Sequence, residues 1–248
     1  MESGDSLKEE NYIFSKAYIC PVCNGKFHSM TVRTGKARLI GSDKDLRNIF
    51  KGVDANKYDV VLCNHCGYAA LLRYFGPLAK PHRDMIVENI ARKFKPVDEK
   101  LGVISYEEAF IRYKMAQISA FHRQAKNSEK AYICLKTAWL LRGMREELVQ
   151  SDEFSTQKVG ELETQEKKYL EAALAGFEEA RMSEMPPIAG MNEITLDYLL
   201  SVLCLECEKY EDGLKLAQNV VVSGQATSQQ KEKAREIVAE LKALLKSE

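Results

Sequence analysis

Two short cysteine motifs decide how the first part of this sequence folds. They are Cys20-Pro21-Val22-Cys23 and Cys63-Asn64-His65-Cys66, and each holds two cysteines around a two-residue spacer. Such a spacer lets the backbone curl so that both sulfurs reach one ion, and two such pairs supply the four thiolates of a tetrahedral zinc site. The sequence therefore predicts a Zn²⁺ site with four ligands: Cys20, Cys23, Cys63 and Cys66.

The predicted site is structural, because thiolates fill all four positions and a catalytic zinc keeps one position for water. Seven cysteines in a chain without a visible signal peptide also favour thiols and metal over a disulfide framework. Cys63 and Cys66 alone, after a strand, would suit a thioredoxin-type redox pair. The matching upstream pair favours zinc, and a zinc-thiolate redox sensor stays as a less favoured alternative.

The remaining candidate chemistry is weak. His28 and His65 could replace a cysteine as ligand, but with four cysteines present we expect both to be bystanders. Cys204 and Cys207 form a third C-x-x-C inside an apolar helical stretch, where cysteine is usually a small buried apolar residue, and Cys134 is interpreted in the same way. No metalloprotease motif, nucleophile elbow or glycine-rich nucleotide turn is present, so the sequence predicts no enzyme.

Short strands and turns are expected around the motifs. Strands are predicted near residues 17–19, 26–33, 37–40 and 59–62. The second and third of these are expected to pair as a hairpin around Thr34-Gly35-Lys36. Helical turns are predicted near residues 42–50 and 68–75, and Gly25 and Gly67 are expected to supply permissive backbone conformations.

From residue 105 onward the apolar residues recur at helical spacing. Ser105 and Glu108 form a capping-box pattern at the first helix start. Helices are predicted near residues 105–126, 127–149, 157–182, 193–208, 211–222 and 228–246. A shorter helix is expected to follow Pro81 and to end before Pro96.

These patterns predict an α+β fold, mostly α, with a small zinc-ribbon-like β head followed by a helical domain. The predicted divisions are a polar tail (1–14), a zinc-ribbon-like domain with a basic insertion and a trailing helix (15–95), a linker (96–104) and a helical domain (105–248).

Two helix pairs in the predicted helical domain share a spacing. Ile118-Ser119-x-x-His122 precedes Ala131, and Leu200-Ser201-x-x-Cys204 precedes Gly213, so that a small residue follows nine positions later in each. Small residues let two helices approach closely, and this spacing resembles the tetratricopeptide repeat. A plain α-helical bundle is the alternative.

Charge is distributed unevenly along the chain. Residues 15–95 hold fifteen Lys/Arg against six Asp/Glu, although the whole chain has a formal net charge of zero. This excess could attract the acidic helical part, could be scattered lysines in solvent, or could form a surface for an anionic partner. The candidate residues for such a surface are Lys26, Arg33, Lys36, Arg38, Lys44, Arg47 and Lys51. Nucleic acid is one such partner, with Phe27 or Tyr58 available for stacking on bases.

The cysteine motifs, the basic insertion and two further stretches together resemble a known family. The stretches are Cys66-Gly67-Tyr68-Ala69 and Ala138-Trp139-Leu140-Leu141-Arg142. The chain is similar, over roughly residues 18–245, to the bacterial family called domain of unknown function 2225. Residues 58–69 carry the most specific likeness, and Asn64 stands where a proline is common. The resemblance supports the architecture and implies no activity.

Composition completes the prediction. With 45% hydrophobic and 29% charged residues the chain is typical of a soluble globular protein, and no apolar run approaches a membrane span. The polar N-terminus lacks the features of a signal peptide, so we expect a cytoplasmic location. The leading hypothesis is a non-enzymatic protein with a structural zinc head and a helical scaffold that binds a protein or peptide.

Overall fold

A computed structural model of the chain describes residues 8–99, 101–152 and 154–246. Its strands are β1 (Ile13–Ile19), β2 (Lys26–Val32), β3 (Leu39–Ser42), β4 (Asn48–Phe50), β5 (Val60–Leu62) and β6 (Ala69–Leu71). Its helices are α1 (Lys80–Ile86), α2 (Tyr106–His122), α3 (Asn127–Gln150), α4 (Thr156–Ser183), α5 (Glu193–Glu206), α6 (Tyr210–Val222) and α7 (Ser228–Leu244). The predicted class is confirmed: small antiparallel strand pairs precede a mostly helical chain.

The helices begin where the sequence predicts. Ser105 caps α2, and its hydroxyl accepts a hydrogen bond from the Glu108 amide at 3.2 Å. Thr227 and Gln230 form a reciprocal capping box at the start of α7. Pro81 lies in the first turn of α1, which continues as a π-helical turn over Val87–Ala91. Of the predicted tail, residues 1–7 lie outside the described residues, and Glu9–Tyr12 forms a 3₁₀ turn before β1.

The predicted hairpin between residues 26–33 and 37–40 is wrong. β2 pairs instead with β1, from Ile13 opposite Val32 to Ile19 opposite Lys26. The first cysteine motif forms the turn between them, and its Cys20 amide bonds to the Gly25 carbonyl at 3.0 Å. The motif therefore brings its own two flanking strands together.

Two predicted helical turns are also wrong. Within residues 42–50, Leu46 has φ +72° and the Asp43 amide bonds to the Arg47 carbonyl, so the chain turns back and β3 pairs with β4. Within residues 68–75, β6 pairs with β5, and only Leu72–Tyr74 forms a 3₁₀ turn. In both cases a local hydrogen-bonded turn prevails over weak helical periodicity.

By contacts the chain divides into two units. The first contains the described residues of Met1–Gly41, Asn48–Ala125 and Trp139–Glu163, and the second those of Ser42–Arg47, Lys126–Ala138 and Thr164–Glu248. Residues 96–104, expected as a linker, lie within the first unit. There the Val97 amide bonds to the Asn64 carbonyl and the Ile104 amide to the Tyr58 hydroxyl. Residue 105, where the helical domain is predicted to begin, therefore lies inside the first unit.

The first unit builds its core from the strands and α2. Helix α2 packs against β5 and β6, and its Ser119 hydroxyl accepts a hydrogen bond from the Ala69 amide at 3.2 Å. Tyr113, fully buried on the same helix, donates to the Asn56 carbonyl at 3.0 Å. These bonds satisfy polar groups that would be costly to bury alone.

The second unit has a separate core between α5, α6 and α7. Its buried residues are Tyr198, Val202, Leu205, Ala217, Val220, Ala234, Ile237 and Leu241. A Cβ placed on Gly213 would lie 3.0 Å from the Cβ of the buried Cys204, so these two small positions allow α6 to lie close to α5. The approach agrees with the predicted spacing, and the tetratricopeptide-like interpretation stays a prediction.

A buried cation in the first unit depends on one carboxylate. Lys57 has 5% of its side chain exposed, and its Nζ lies 2.7 Å from Glu9 Oε2. The Tyr58 hydroxyl donates to Glu9 Oε1 at 2.6 Å. Burial and the hydrogen bond to Glu9 raise the pKa of Tyr58, so the phenol stays protonated.

Replacing this carboxylate should destabilise the fold. Glu9→Gln leaves the buried Lys57 without this counter-charge, which should cost about 3–5 kcal/mol of unfolding free energy in urea denaturation. Glu10→Gln, at the exposed neighbouring position, is the matched control and should change it by less than about 0.5 kcal/mol. Equal effects of the two substitutions would contradict a role for the buried pair.

Two glycines of α4 should respond to alanine with opposite signs. A Cβ on Gly176 would lie 2.9 Å from the Ala131 Cβ, whereas a Cβ on Gly160 has nothing within 4 Å. Alanine in a helix is favoured over glycine by about 1 kcal/mol, and overpacking costs about 1–3 kcal/mol. We expect Gly160→Ala to stabilise the chain and Gly176→Ala to destabilise it, as measured by urea denaturation. A stabilised Gly176→Ala variant would show that the two helices are not held at this separation.

Candidate metal centre

The two cysteine motifs fold into matching turns. In the first, the Asn24 amide bonds to the Cys20 carbonyl at 2.9 Å, and in the second the Gly67 amide bonds to the Cys63 carbonyl at 2.9 Å. The chain then returns through a second bond, from Cys63 to Tyr68, which corresponds to the bond from Cys20 to Gly25. Each motif is thus the turn of its own hairpin, β1–β2 or β5–β6.

The conformational roles of the glycines differ from the prediction in one motif. Gly67 has φ +75°, as expected, but in the first motif Asn24 takes the equivalent conformation with φ +59°. Asparagine adopts positive φ more readily than most residues with a side chain. An asparagine at position 24, before Gly25, could therefore have predicted the positive φ there. Gly25 is needed for space, since a Cβ there would lie 2.8 Å from His65 Cδ2.

The structure brings the four predicted cysteines together. Cys20 Sγ lies 3.6 Å from Cys66 Sγ, and Cys23 Sγ lies 3.7 Å from Cys63 Sγ, so each contact joins one motif to the other. All four sulfurs lie within 4.8 Å of one another. They could hold a single metal ion, and all four cysteines are free of disulfides.

The cluster is buried except on one side. Cys20, Cys63 and Cys66 are buried and Cys23 is exposed. Apolar residues of the first unit surround the buried sulfurs, including Val22, Phe27, Val61, Tyr68, Ala70, Ile86 and Ile90. Backbone amides also point at sulfur: Val22 donates to Cys20 Sγ and Gly25 to Cys23 Sγ, each at 3.4 Å. Such amides stabilise negative charge on the sulfurs.

The crowding of the sulfurs sets their ionisation. The hydrogen bond of Cys20 to Cys63 raises the pKa of the Cys20 thiol to about 12, and bonding to Cys20 and Cys63 raises the pKa of Cys66. Hydrogen bonds from Cys20 and Cys66 lower the pKa of Cys63. Without a cation one thiolate is therefore stabilised by its protonated neighbours, and binding of a metal to all four sulfurs must release protons.

The other candidate ligands contact groups outside the cluster. His28 Nδ1 lies 3.2 Å from Glu99 Oε2, and the ring of His65 meets the Lys26 carbonyl at 3.1 Å. Cys204 is buried in α5, and burial raises its pKa to about 12 and that of Cys207 to about 11. Burial also raises the pKa of Cys134 to about 11. These thiols are protonated at neutral pH, and thiols are far weaker metal ligands than thiolates.

The seven basic residues predicted as an anionic-partner surface fall into both units. Lys26, Arg33, Lys36, Arg38 and Lys51 have exposed side chains and lie in the first unit. Lys44 and Arg47 lie in the second. There Lys44 Nζ is 2.6 Å from Glu240, and the buried Arg47 is 3.2 Å from Asp43.

The predicted stacking role of Phe27 and Tyr58 is wrong. Phe27 is 1% exposed and Tyr58 is 2% exposed, so neither ring can stack on a base. Phe27 instead packs on Tyr18 and Phe75, with ring centroids 5.8 and 6.0 Å apart. Sequence reasoning missed this aromatic group because its members come from separate parts of the chain.

None of the helices in the described ranges has the length and apolar composition that a bilayer span requires.

Searches of curated proteins and of solved structures each returned no match to this chain. The sequence model of one family, described as uncharacterized proteins conserved in bacteria (DUF2225), matches residues 13–243. This range includes both cysteine motifs and the helices through nearly all of α7. The chain therefore belongs to the DUF2225 family.

Proposed function

We propose that this protein is a non-enzymatic zinc-binding protein in which Cys20, Cys23, Cys63 and Cys66 hold a structural Zn²⁺. The observation that carries the proposal is the separation of the sulfurs. A tetrahedral site with Zn–S bonds of about 2.3 Å requires sulfurs about 3.8 Å apart. The cross-motif pairs are 3.6 and 3.7 Å apart.

The donor set also favours a closed site. Four thiolates fill the coordination sphere of zinc, so the ion would supply crosslinking between the two hairpins and no Lewis-acid chemistry. Soft thiolate ligands select zinc over magnesium or calcium, which prefer oxygen. Carboxylates do not join the cysteines in a metal-binding group among the described residues.

The helical part is proposed to be a scaffold for a protein or peptide, with tetratricopeptide-like packing. The close approach of Gly213 to Cys204 supports the packing. Large apolar side chains on the surface of the second unit support the binding role: Met182 is 82%, Met185 88% and Val222 79% exposed. Such side chains mark an interaction site where they form one continuous patch.

Nucleic-acid binding by the basic insertion has less support. Two of its seven cations have carboxylate partners in the second unit, and the two candidate stacking rings are buried. The redox-sensor alternative would require Cys23, the exposed member of the cluster, to react first with an oxidant. A protein partner therefore remains the better proposal.

Zinc content should depend on the paired cysteines. We expect about one zinc per chain by elemental analysis, and its loss in a Cys63→Ser/Cys66→Ser variant with a fall in thermal stability. A Cys204→Ser/Cys207→Ser variant is the control and should retain zinc. A wild-type protein purified without metal, or a mutated pair that retains it, would refute the proposal.

Two further measurements on the purified protein distinguish a structural zinc site from a redox-sensing one. Zinc affinity should fall as pH is lowered, because protons compete for the thiolates of Cys20 and Cys66, whose pKa values are raised. Brief peroxide treatment should leave the zinc content unchanged if the site is structural. Zinc loss with formation of a disulfide would favour the sensor.

The scaffold role is tested with the full chain, because α3 and α4 each contribute residues to both units. We expect chemical crosslinking in bacterial cells, followed by affinity purification, to recover a specific protein partner whose crosslinks map to the second unit. Nuclease treatment is the control, since it should not change recovery. Absence of any specific crosslinked protein would contradict the scaffold role.

A further inference from the structure

The last two helices form an open groove on the second unit. Its cavity of about 540 Å³ is lined by Gln218, Val221, Val222, Arg235, Val238, Ala239 and Lys242. Val221 and Val222 come from the end of α6, and Val238 and Ala239 from the middle of α7. We call the aliphatic lining residues, Val221, Val222, Val238 and Ala239, the floor, and the polar or cationic ones, Gln218, Arg235 and Lys242, the rim.

The charged residues that α7 contributes to the groove lining are both cations. Arg235, Val238 and Lys242 recur at spacings of three and four and line the groove, so they share one face. Ala234, Ile237 and Leu241 form the buried face. The helix also carries Glu232, Glu236 and Glu240, which do not line the groove, and Glu240 contacts Lys44 elsewhere in the unit.

The groove therefore presents cations around an apolar floor. Carboxylates are absent from its described lining residues. Arg235 pairs with Glu232 at 2.9 Å on the surface, a contact that is easily exchanged in water. Lys242 makes no ion pair with any residue in the described ranges.

We propose that this α6–α7 groove binds an acidic amphipathic helix of a partner protein, an inference that rests on the scaffold role proposed above. Aliphatic side chains of the partner would cover Val221, Val222 and Val238. Its Asp or Glu residues would lie against Arg235 and Lys242. A helix that presents residues at i, i+3 or i+4 and i+7 offers this combination on one face.

Charge complementarity and the composition of the floor decide between occupants. The valine and alanine floor contains no aromatic ring, and base stacking on aromatic rings is a main source of affinity for single-stranded nucleic acid. A second copy of the chain docked groove to groove would bring the same cations to face each other. A partner helix with aliphatic and acidic residues can cover the apolar floor and also pair with the cations of the rim.

The test is selection from a displayed library of helical peptides with one randomised face, using the full-length protein. We expect the binders to be enriched in Asp or Glu together with Leu, Ile or Val. Arg235→Glu/Lys242→Glu should weaken a selected peptide by about tenfold or more, and Val222→Asp should do likewise. Raised salt should weaken wild-type binding, because it screens the rim charges.

The matched control is Lys233→Glu, a charge reversal on α7 at a residue that does not line the groove. It should change affinity by less than about twofold, and circular dichroism should show that all variants keep their helicity. A peptide with Lys in place of its acidic residues should lose binding to the wild type and regain it with Arg235→Glu/Lys242→Glu.

Four results of these binding experiments would overturn the proposal. They are selection of no binders, binders without acidic residues, binding unaffected by the groove variants, and equal binding of a single-stranded oligonucleotide of the same charge. Self-association abolished by Val222→Asp would also overturn it, since the occupant would be a second copy. A cellular partner crosslinked elsewhere on the second unit would leave the scaffold role intact and remove only the groove.

Discussion

Four sulfur atoms that lie within 4.8 Å of one another constrain the first unit of this protein. Three of the cysteines are buried, so water cannot screen the repulsion between neighbouring thiolates. In the absence of a cation that repulsion is avoided by shared protons: the hydrogen bond to Cys63 raises the pKa of Cys20, and hydrogen bonds to Cys20 and Cys63 raise the pKa of Cys66. A dication relieves the repulsion far better, since it converts mutual repulsion into common attraction. The same geometry that makes the metal-free cluster unfavourable would thus make the binding of a metal a source of folding free energy.

The hairpins around the cluster follow from this constraint. Each motif must turn sharply to direct two sulfurs to one point, and the turn closes when Cys20 bonds to Gly25 and Cys63 to Tyr68. A tight turn leaves its flanking residues side by side and antiparallel, so β1 pairs with β2 and β5 with β6. The cross-motif contacts, Cys20 with Cys66 and Cys23 with Cys63, then hold the two hairpins together at their turns.

Much of the helical part could be predicted because its signals are local. Caps such as Ser105 and Thr227, and apolar residues at helical spacing, depend on nearby sequence alone. The clustering of the four cysteines was equally predictable, because the residue type and spacing of the two motifs indicate it. The strand pairings were not, because the partner of β2 depends on whether the chain turns at the first cysteine motif or at Thr34-Gly35-Lys36, and both are plausible turns from sequence. The burial of Phe27 and Tyr58 also could not be predicted from the sequence, because their neighbours Phe75 and Glu9 are remote along the chain. Isolated contacts between distant residues leave no periodic signal.

Helix α7 shows how sequence pattern and packing together define a surface. Its charges alternate along the sequence, and a linear reading gives no preference for a partner of either sign. Once Ala234, Ile237 and Leu241 are fixed in the core, the orientation of every other side chain is set by the helical repeat. Arg235 and Lys242 then lie beside exposed aliphatic residues, and Glu240 is drawn to Lys44. A helix with four cations and three carboxylates thereby acquires one apolar side lined by two of its cations. Net charge is a poor guide to the partners of such a protein, because the charge near the apolar surface decides what can bind there.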